Sequence, residues 1–210
     1  MVERLFGEVD LPVHHQANLY RLIGDSFAKL QDNKSAKESY AHALELDPFL
    51  SKAHLGYGAM HLSESNYNGS VLAFQKAISY APQDDMANLG LGLSFQGLGE
   101  KVEARKWILS ALECNPANEL AVFSLVRISN ETGDFEGCEE TLNLYLKLKP
   151  NQPDMQFTLA GILFKLKKFT RSKMVCESIL KAEPMHDKAR DLYDLVLGEL
   201  EAKKQNVKSA

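Results

Sequence analysis

The sequence predicts an all-α protein built as a solenoid of stacked helical hairpins, and three observations predict it. Prolines recur at a fixed interval, small residues recur at fixed offsets ahead of them, and large apolar residues fill the places between. Pro48, Pro82, Pro116, Pro150 and Pro184 each follow the last by 34 residues. Each ends a stretch that begins apolar and turns more polar: ALELDP, AISYAP, ALECNP, LKLKP and ILKAEP. Proline cannot continue a helix and biases the residue before it away from the helical region, so the five mark helix ends.

Setting each proline at position 32 of a repeat gives frames 17–50, 51–84, 85–118, 119–152 and 153–186. Position 8 then reads Gly24, Gly58, Gly92, Val126 and Ala160, and position 20 reads Ala36, Ser70, Ala104, Cys138 and Ser172. Small residues at both places let two antiparallel helices approach closely. Position 24 carries Tyr40, Phe74, Ile108, Leu142 and Cys176, which fill the layer between repeats. Position 27 carries Ala43, Ala77, Ala111, Tyr145 and Ile179. Helix A is predicted over positions 2–14 and helix B over positions 18–31. The turns between them, QDNK, SNYN, LGEK, TGDF and LKKF, hold breakers or polar residues. Ser35 and Glu38 stand in capping-box spacing at the start of the first helix B. One such hairpin cannot bury its apolar face alone, so neighbours must stack.

Period, small positions, large positions and proline agree over five frames, and the pattern resembles the tetratricopeptide-repeat (TPR) family across residues 17–186. The resemblance implies a right-handed α-solenoid of five TPR repeats with a C-terminal capping helix. It also implies a scaffold without catalysis of its own, in which the A helices line a concave groove that holds a protein or peptide partner. The fourth and fifth repeats depart from the pattern at Val126, Ala160, Tyr145 and Ile179, so their helix pairs should open or twist differently.

Residues 1–16 form an N-terminal segment in which Val2, Leu5, Phe6 and Val9 have the spacing of one short amphipathic helix before Pro12. That helix is a candidate homo-oligomer contact. Residues 187–204 read as a sixth helix A that caps the stack, with Leu192, Tyr193, Val196, Leu197 and Leu200 on one covering face. Arg190 and Asp194, spaced i, i+4, are expected to pair on its outer side. Residues 205–210 read as a disordered tail.

A net charge of −4 gives no electrostatic reason to expect a nucleic-acid binder. Cys114, Cys138 and Cys176 lie far apart, an odd and sparse set that fits reduced thiols better than a disulfide framework. The N-terminus, with Glu3, Glu8 and Asp10 and no long apolar run, is neither a secretory signal nor a spanning helix. A cytoplasmic protein without membrane insertion is the expectation.

Few residues invite chemistry, and each has a plainer structural role. His54 and His61 share one helix face but lie two turns, about 10 Å, apart, too far to share a metal ion with ligand bonds of about 2 Å. They occupy core positions 4 and 11. His14 and His15 have no carboxylate or cysteine at ligand spacing in the sequence and read as surface. Cys138 and Cys176 sit at core positions, where a small hydrophobe fits. The glycines of GLGLSFQGLG (90–99) lie in and after a helix A with no GK[ST] following, so they are not a phosphate loop. Lys165, Lys167, Lys168, Arg171 and Lys173 form the most basic segment and read as a solvated helical edge. No cofactor, metal site or catalytic residue is expected.

The candidate site is the inner face. In the TPR family the groove is lined chiefly by helix A positions 2, 5, 9, 12 and 13. Those positions hold Asn18, Arg21, Asp25 and Lys29, then Lys52, Leu55, Ala59 and Leu62. They continue with Met86, Leu89, Leu93 and Gln96, then Leu120, Phe123, Arg127, Asn130 and Glu131, then Asp154, Phe157, Gly161, Phe164 and Lys165. The groove is polar at its N-terminal end and apolar through the middle, and an apolar patch of that size marks an interaction site. Phe123 and Phe157, both at position 5, should project from neighbouring A helices about 8–10 Å apart. The family's carboxylate clamp, which grips the acidic C-terminus of heat-shock chaperones, is matched here only by Arg21. Its asparagines are replaced by Asp25 and Gly56, and its third-repeat cations by Met86 and Gly90. The expected function is an adaptor whose groove holds an amphipathic or apolar segment of a partner. A chaperone holding an apolar client segment and an architectural self-assembly module are the alternatives.

Overall fold

The computed structural model describes residues 11–135 and 137–208. It is all-α among those residues: α1 Val13–Lys29, α2 Asn33–Leu46, α3 Ser51–Ser63, α4 Tyr67–Tyr80, α5 Asp85–Gly97, α6 Lys101–Cys114, α7 Glu119–Thr132, α8 Cys138–Leu148, α9 Pro153–Lys165, α10 Phe169–Ala182 and α11 Asp187–Lys208. The odd-numbered helices are the A helices and the even-numbered ones the B helices of an α-solenoid of helical repeats. The chain divides into two compact units, one through Asn115 and one from Pro116.

Local chemistry accounts for the helix ends. Asp32, Asn66, Asp84 and Asn118 each accept a hydrogen bond from a backbone N–H in the first turn of the helix that follows. The first of these corrects the capping-box expectation. Asp32, rather than Ser35, caps α2, and it receives both the Ser35 N–H at 3.1 Å and the Ser35 hydroxyl at 2.7 Å. Past each of the first five A helices one residue turns left-handed: Gln31, Ser65, Gly99, Gly133 and Lys167, with φ between 57° and 80°. All five stand at position 15 of their frames. Only two are glycine, so the turn is imposed by hairpin packing as much as by local preference.

Two ends differ from expectation. α1 begins at Val13, so residues 13–16 belong to the first A helix rather than to an N-terminal segment. The expected amphipathic helix around Val2, Leu5, Phe6 and Val9, with the homo-oligomer contact assigned to it, lies outside the described residues. α11 continues to Lys208, so residues 205–208 are helical where a disordered tail was expected.

In the first unit, α1 and α2, α3 and α4, and α5 and α6 form antiparallel pairs, and α1, α3 and α5 lie side by side. Its core sets rings against bare backbone. A Cβ on Gly24 would stand 2.7 Å from the Tyr40 ring, and one on Gly56, in the next repeat, would stand closer still. Phe74 is held in the same way between Gly58, at 3.0 Å, and Gly90. Position 6 of the following repeat therefore matters as much as position 8. Gly58 meets Phe74 rather than Ser70, whose hydroxyl instead donates to the Ser94 hydroxyl at 2.7 Å.

In the second unit α8 packs on α7, α10 on α9, and α11 on both α9 and α10. Position 6 there reads Ser124, Thr158 and Leu192, position 8 reads Val126 and Ala160, and position 24 shrinks to Leu142 and Cys176. Tyr145 and Ile179 replace the position-27 alanines, and both are fully buried. Volume has moved from one side of the helix interface to the other, a kind of exchange that cores tolerate. The Tyr145 hydroxyl donates to Glu119 at 3.2 Å, which satisfies the polar atom that the larger side chain brings.

Candidate functional site

Within each unit the A helices carry their position 2, 5, 9, 12 and 13 side chains on one face, and the two units differ in what that face holds. In the first unit its N-terminal end is polar and internally compensated. Arg21 donates to Asp25, which also accepts the Tyr40 hydroxyl at 2.8 Å. Burial and the Asp25 carboxylate push the Tyr40 phenol far up, so it stays a neutral donor. Lys52 reaches Asp84 at 2.7 Å. The one residue shared with the carboxylate clamp is thus already bound to a neighbouring acid.

Further along, the face becomes apolar. Leu55, Leu62 and Leu93 are half-buried, Ala59 is exposed, and Met86 is 45% exposed. Leu89 is a correction: at 1% exposure it belongs to the core, because α5 is flanked by α3, α4 and α6. In the second unit α7 exposes Phe123 (43%), together with Leu120, Arg127 and Asn130. On α9, Phe157 and Phe164 are half-buried: Phe157 lies against the His186 ring at 5.6 Å and Phe164 against Phe169 at 5.4 Å. Gly161 between them faces open space.

The frame also continues where it was not followed in the sequence. Position 5 of the sixth A helix is Asp191, position 9 is Leu195, and positions 12 and 13 are Gly198 and Glu199. With Asp194 these residues line an open depression along α11. The signal in the sequence is the set of groove positions of that sixth helix A, 5, 9, 12 and 13, beside its covering face. Of the five residues expected on the covering face of α11, Val196 is fully buried and Leu192, Tyr193, Leu197 and Leu200 are half-buried; Ala189 is also fully buried. Arg190 does not pair with Asp194 but donates to the Pro184 carbonyl at 2.6 Å.

The other candidates resolve into packing. His54 lies within hydrogen-bonding distance of the Pro48 carbonyl at 2.9 Å, and the His61 ring meets Tyr57 edge-on at 4.7 Å. Burial, with the Lys37 cation nearby, lowers the His61 pKa and keeps the ring neutral. His14, read from sequence as lacking a carboxylate partner, has Asp47 at 2.9 Å across the hairpin. Cys138 and Cys176 are buried, and burial pushes the Cys176 thiol up to about 11, the opposite of an activated nucleophile. On the basic edge, Lys168 and Arg171 both bind Glu139 and Lys173 reaches Glu177, so much of its charge is cancelled. Among the described residues no cluster of three His, Cys, Asp or Glu side chains is placed to hold a metal ion, and no helix is long and apolar enough to cross a membrane.

Helical hairpins repeating every 34 residues define an α-solenoid of helical repeats. Two tetratricopeptide-repeat models match the chain, at residues 17–49 and 61–119, and the chain belongs to that family. Among curated proteins it is similar to superkiller protein 3 of Schizosaccharomyces pombe, 24% identical over 120 residues, which are 57% of this chain and 9% of that protein. The chain spans less than a quarter of the length of the curated relatives it matches. Among solved structures it resembles YrrB, a TPR protein described as having an unusual peptide-binding site (TM-score 0.62, 19% identity, 97% of this chain and 96% of that one). It also resembles the second TPR domain of human RPAP3 in complex with an HSP70 peptide (TM-score 0.54, 23% identity, 56% and 98%).

Proposed function

We propose that the protein is an interaction scaffold whose A-helix face holds an amphipathic or apolar segment of a partner protein. One observation carries this reading: large apolar side chains remain accessible at groove positions of successive A helices, Met86 and Leu93 in the first unit and Leu120, Phe123 and Phe157 in the second. Packing between A helices explains Leu89 but not these. Accessible apolar patches on a rigid helical surface mark binding sites. The peptide complexes of similar structures support a protein segment as the ligand class. The compensated Arg21 argues against a ligand held by its terminal carboxylate.

Aromatic anchors are common hot spots, and truncating one typically costs about 2 kcal/mol. The test is to identify the partner by affinity capture and mass spectrometry, then titrate it in purified form against Phe123→Ala and Phe157→Ala. With folding of both variants verified by circular dichroism, affinity should fall by about thirtyfold at a true anchor. Unchanged affinity in both folded variants contradicts the reading.

A further inference from the structure

We propose that the face formed by α9 and α11 selects a cationic amphipathic segment, one whose apolar side chains rest on Phe157 and Leu195 while its lysines or arginines meet the surrounding carboxylates. This inference rests on the groove reading above and adds the charge of the ligand.

Three observations carry it. First, α11 packs against α9, and Leu195 is 61% exposed in the depression it shares with Gly198, so there is an apolar floor with room above it. Neither Gly161 on α9 nor Gly198 on α11 has any neighbour within Cβ reach. Second, Asp191, Asp194 and Glu199 line that depression and Asp154 stands on α9; all four are exposed, and none of them forms an ion pair among the described residues. Over their whole length α9 and α11 carry six acids and six bases, but no base stands among the residues that line the depression. Third, the other cations of this unit that ion-pair are already bound, Lys168 and Arg171 to Glu139 and Lys173 to Glu177. The first unit differs, since its groove charges at Arg21 and Lys52 each have an acid of their own. An uncompensated acidic border around an apolar floor favours a basic partner and repels an acidic one, which sets specificity more than total affinity.

The probes are two helical peptides of about 14 residues, four turns, with the same leucine spacing, one with lysine and one with glutamate on its polar face. Each is titrated by fluorescence anisotropy against the full chain, Phe157→Ala, the double variant Asp191→Asn/Glu199→Gln, and Glu38→Gln as a control acid on an exposed part of α2. The lysine peptide should bind at least about tenfold tighter at low salt, and the preference should narrow as salt screens it. Asp191→Asn/Glu199→Gln should remove most of the preference, Glu38→Gln none of it, and Phe157→Ala should weaken both peptides. A preference that survives the double variant overturns the proposal, as does one that disappears equally in Glu38→Gln. If both peptides bind alike and both are weakened by Phe157→Ala, the charge inference is wrong and the groove reading stands. If neither peptide binds, the groove reading falls with it.

Discussion

In the first unit Tyr40 and Phe74 are each held between two glycines on neighbouring A helices; in the second the same places pair Cys176 with Ala160 and Leu142 with Val126. Rings against bare backbone give a helix interface with no slack, since any added carbon must displace a ring or a helix. Side chain against side chain leaves rotamers with which to adjust. The unit with the ring-and-glycine core has compensated charges on its A-helix face. The unit with the adjustable core leaves Leu120 and Phe123 exposed, and Leu195 exposed beside Asp191, Asp194 and Glu199, which form no ion pair among the described residues. Along one repeat pattern the tighter interface thus goes with paired charges on the A-helix face and the adjustable one with acids left without an ion pair.

The largest expected effect tests how far the second unit depends on its last helix. A chain ended before Asp187 loses Ala189 and Val196, both fully buried, and uncovers α9 and α10. Each large apolar side chain removed from such a face is worth on the order of 1.5–3 kcal/mol. Calorimetry should show the second unit's unfolding transition lowered or lost, with self-association in light scattering, while the transition of the first unit stays in place. An unchanged thermogram and a monomeric variant would show that α11 does not cap.

A smaller effect, opposite in sign between the units, comes from one extra methyl group. Gly90→Ala should destabilise by about 1–3 kcal/mol, because its Cβ would enter the Phe74 ring. Gly161→Ala should stabilise by about 0.5–1 kcal/mol, because it meets nothing and alanine is the better helix former. Denaturant midpoints decide. Equal shifts of the same sign would dissolve the distinction between the two cores.

The smallest effect is electrostatic and confined to the second unit. The hydrogen bond from Lys168, with the Lys168 and Arg171 charges, holds the Glu139 carboxyl below the usual carboxylate range. A depressed folded-state pKa means stability that is present above the unfolded value of about 4.3 and is lost as pH falls through the folded value. Glu139→Gln should therefore cost about 1 kcal/mol at pH 7, with the gap to wild type closing as the pH falls below about 4. A gap that is constant with pH would mean that Glu139 acts through packing rather than charge.

The repeat was legible because its positions answer to sterics that any sequence must obey. Prolines at a fixed interval, small residues at positions 8 and 20 and bulky ones at position 24 place the helix pairs almost to the residue. What stayed hidden depended on neighbours in space. Gly56 and Gly90 look unremarkable until the ring from the preceding repeat is set against them. Leu89 and Phe123 share position 5 and identical local signals, yet one is buried by α3, α4 and α6 while the other stays open. The Asp47 partner of His14 comes from 33 residues away, beyond any ligand-spacing rule. Asp191, Leu195 and Glu199 stay hidden for a different reason: they share α11 with the covering residues, whose apolar spacing dominates the pattern of that helix.

The central claim, that the A-helix face is where the partner sits, is tested most directly by site-specific photocrosslinking in the source cell. A benzophenone amino acid is placed at Phe123 and, separately, at Leu72, which is more accessible (67% against 43% exposed) but on a B helix. The account predicts a covalent adduct of defined mass from Phe123 and none from Leu72. Adducts from Leu72 with none from Phe123 would move the binding site to the B-helix surface and contradict it.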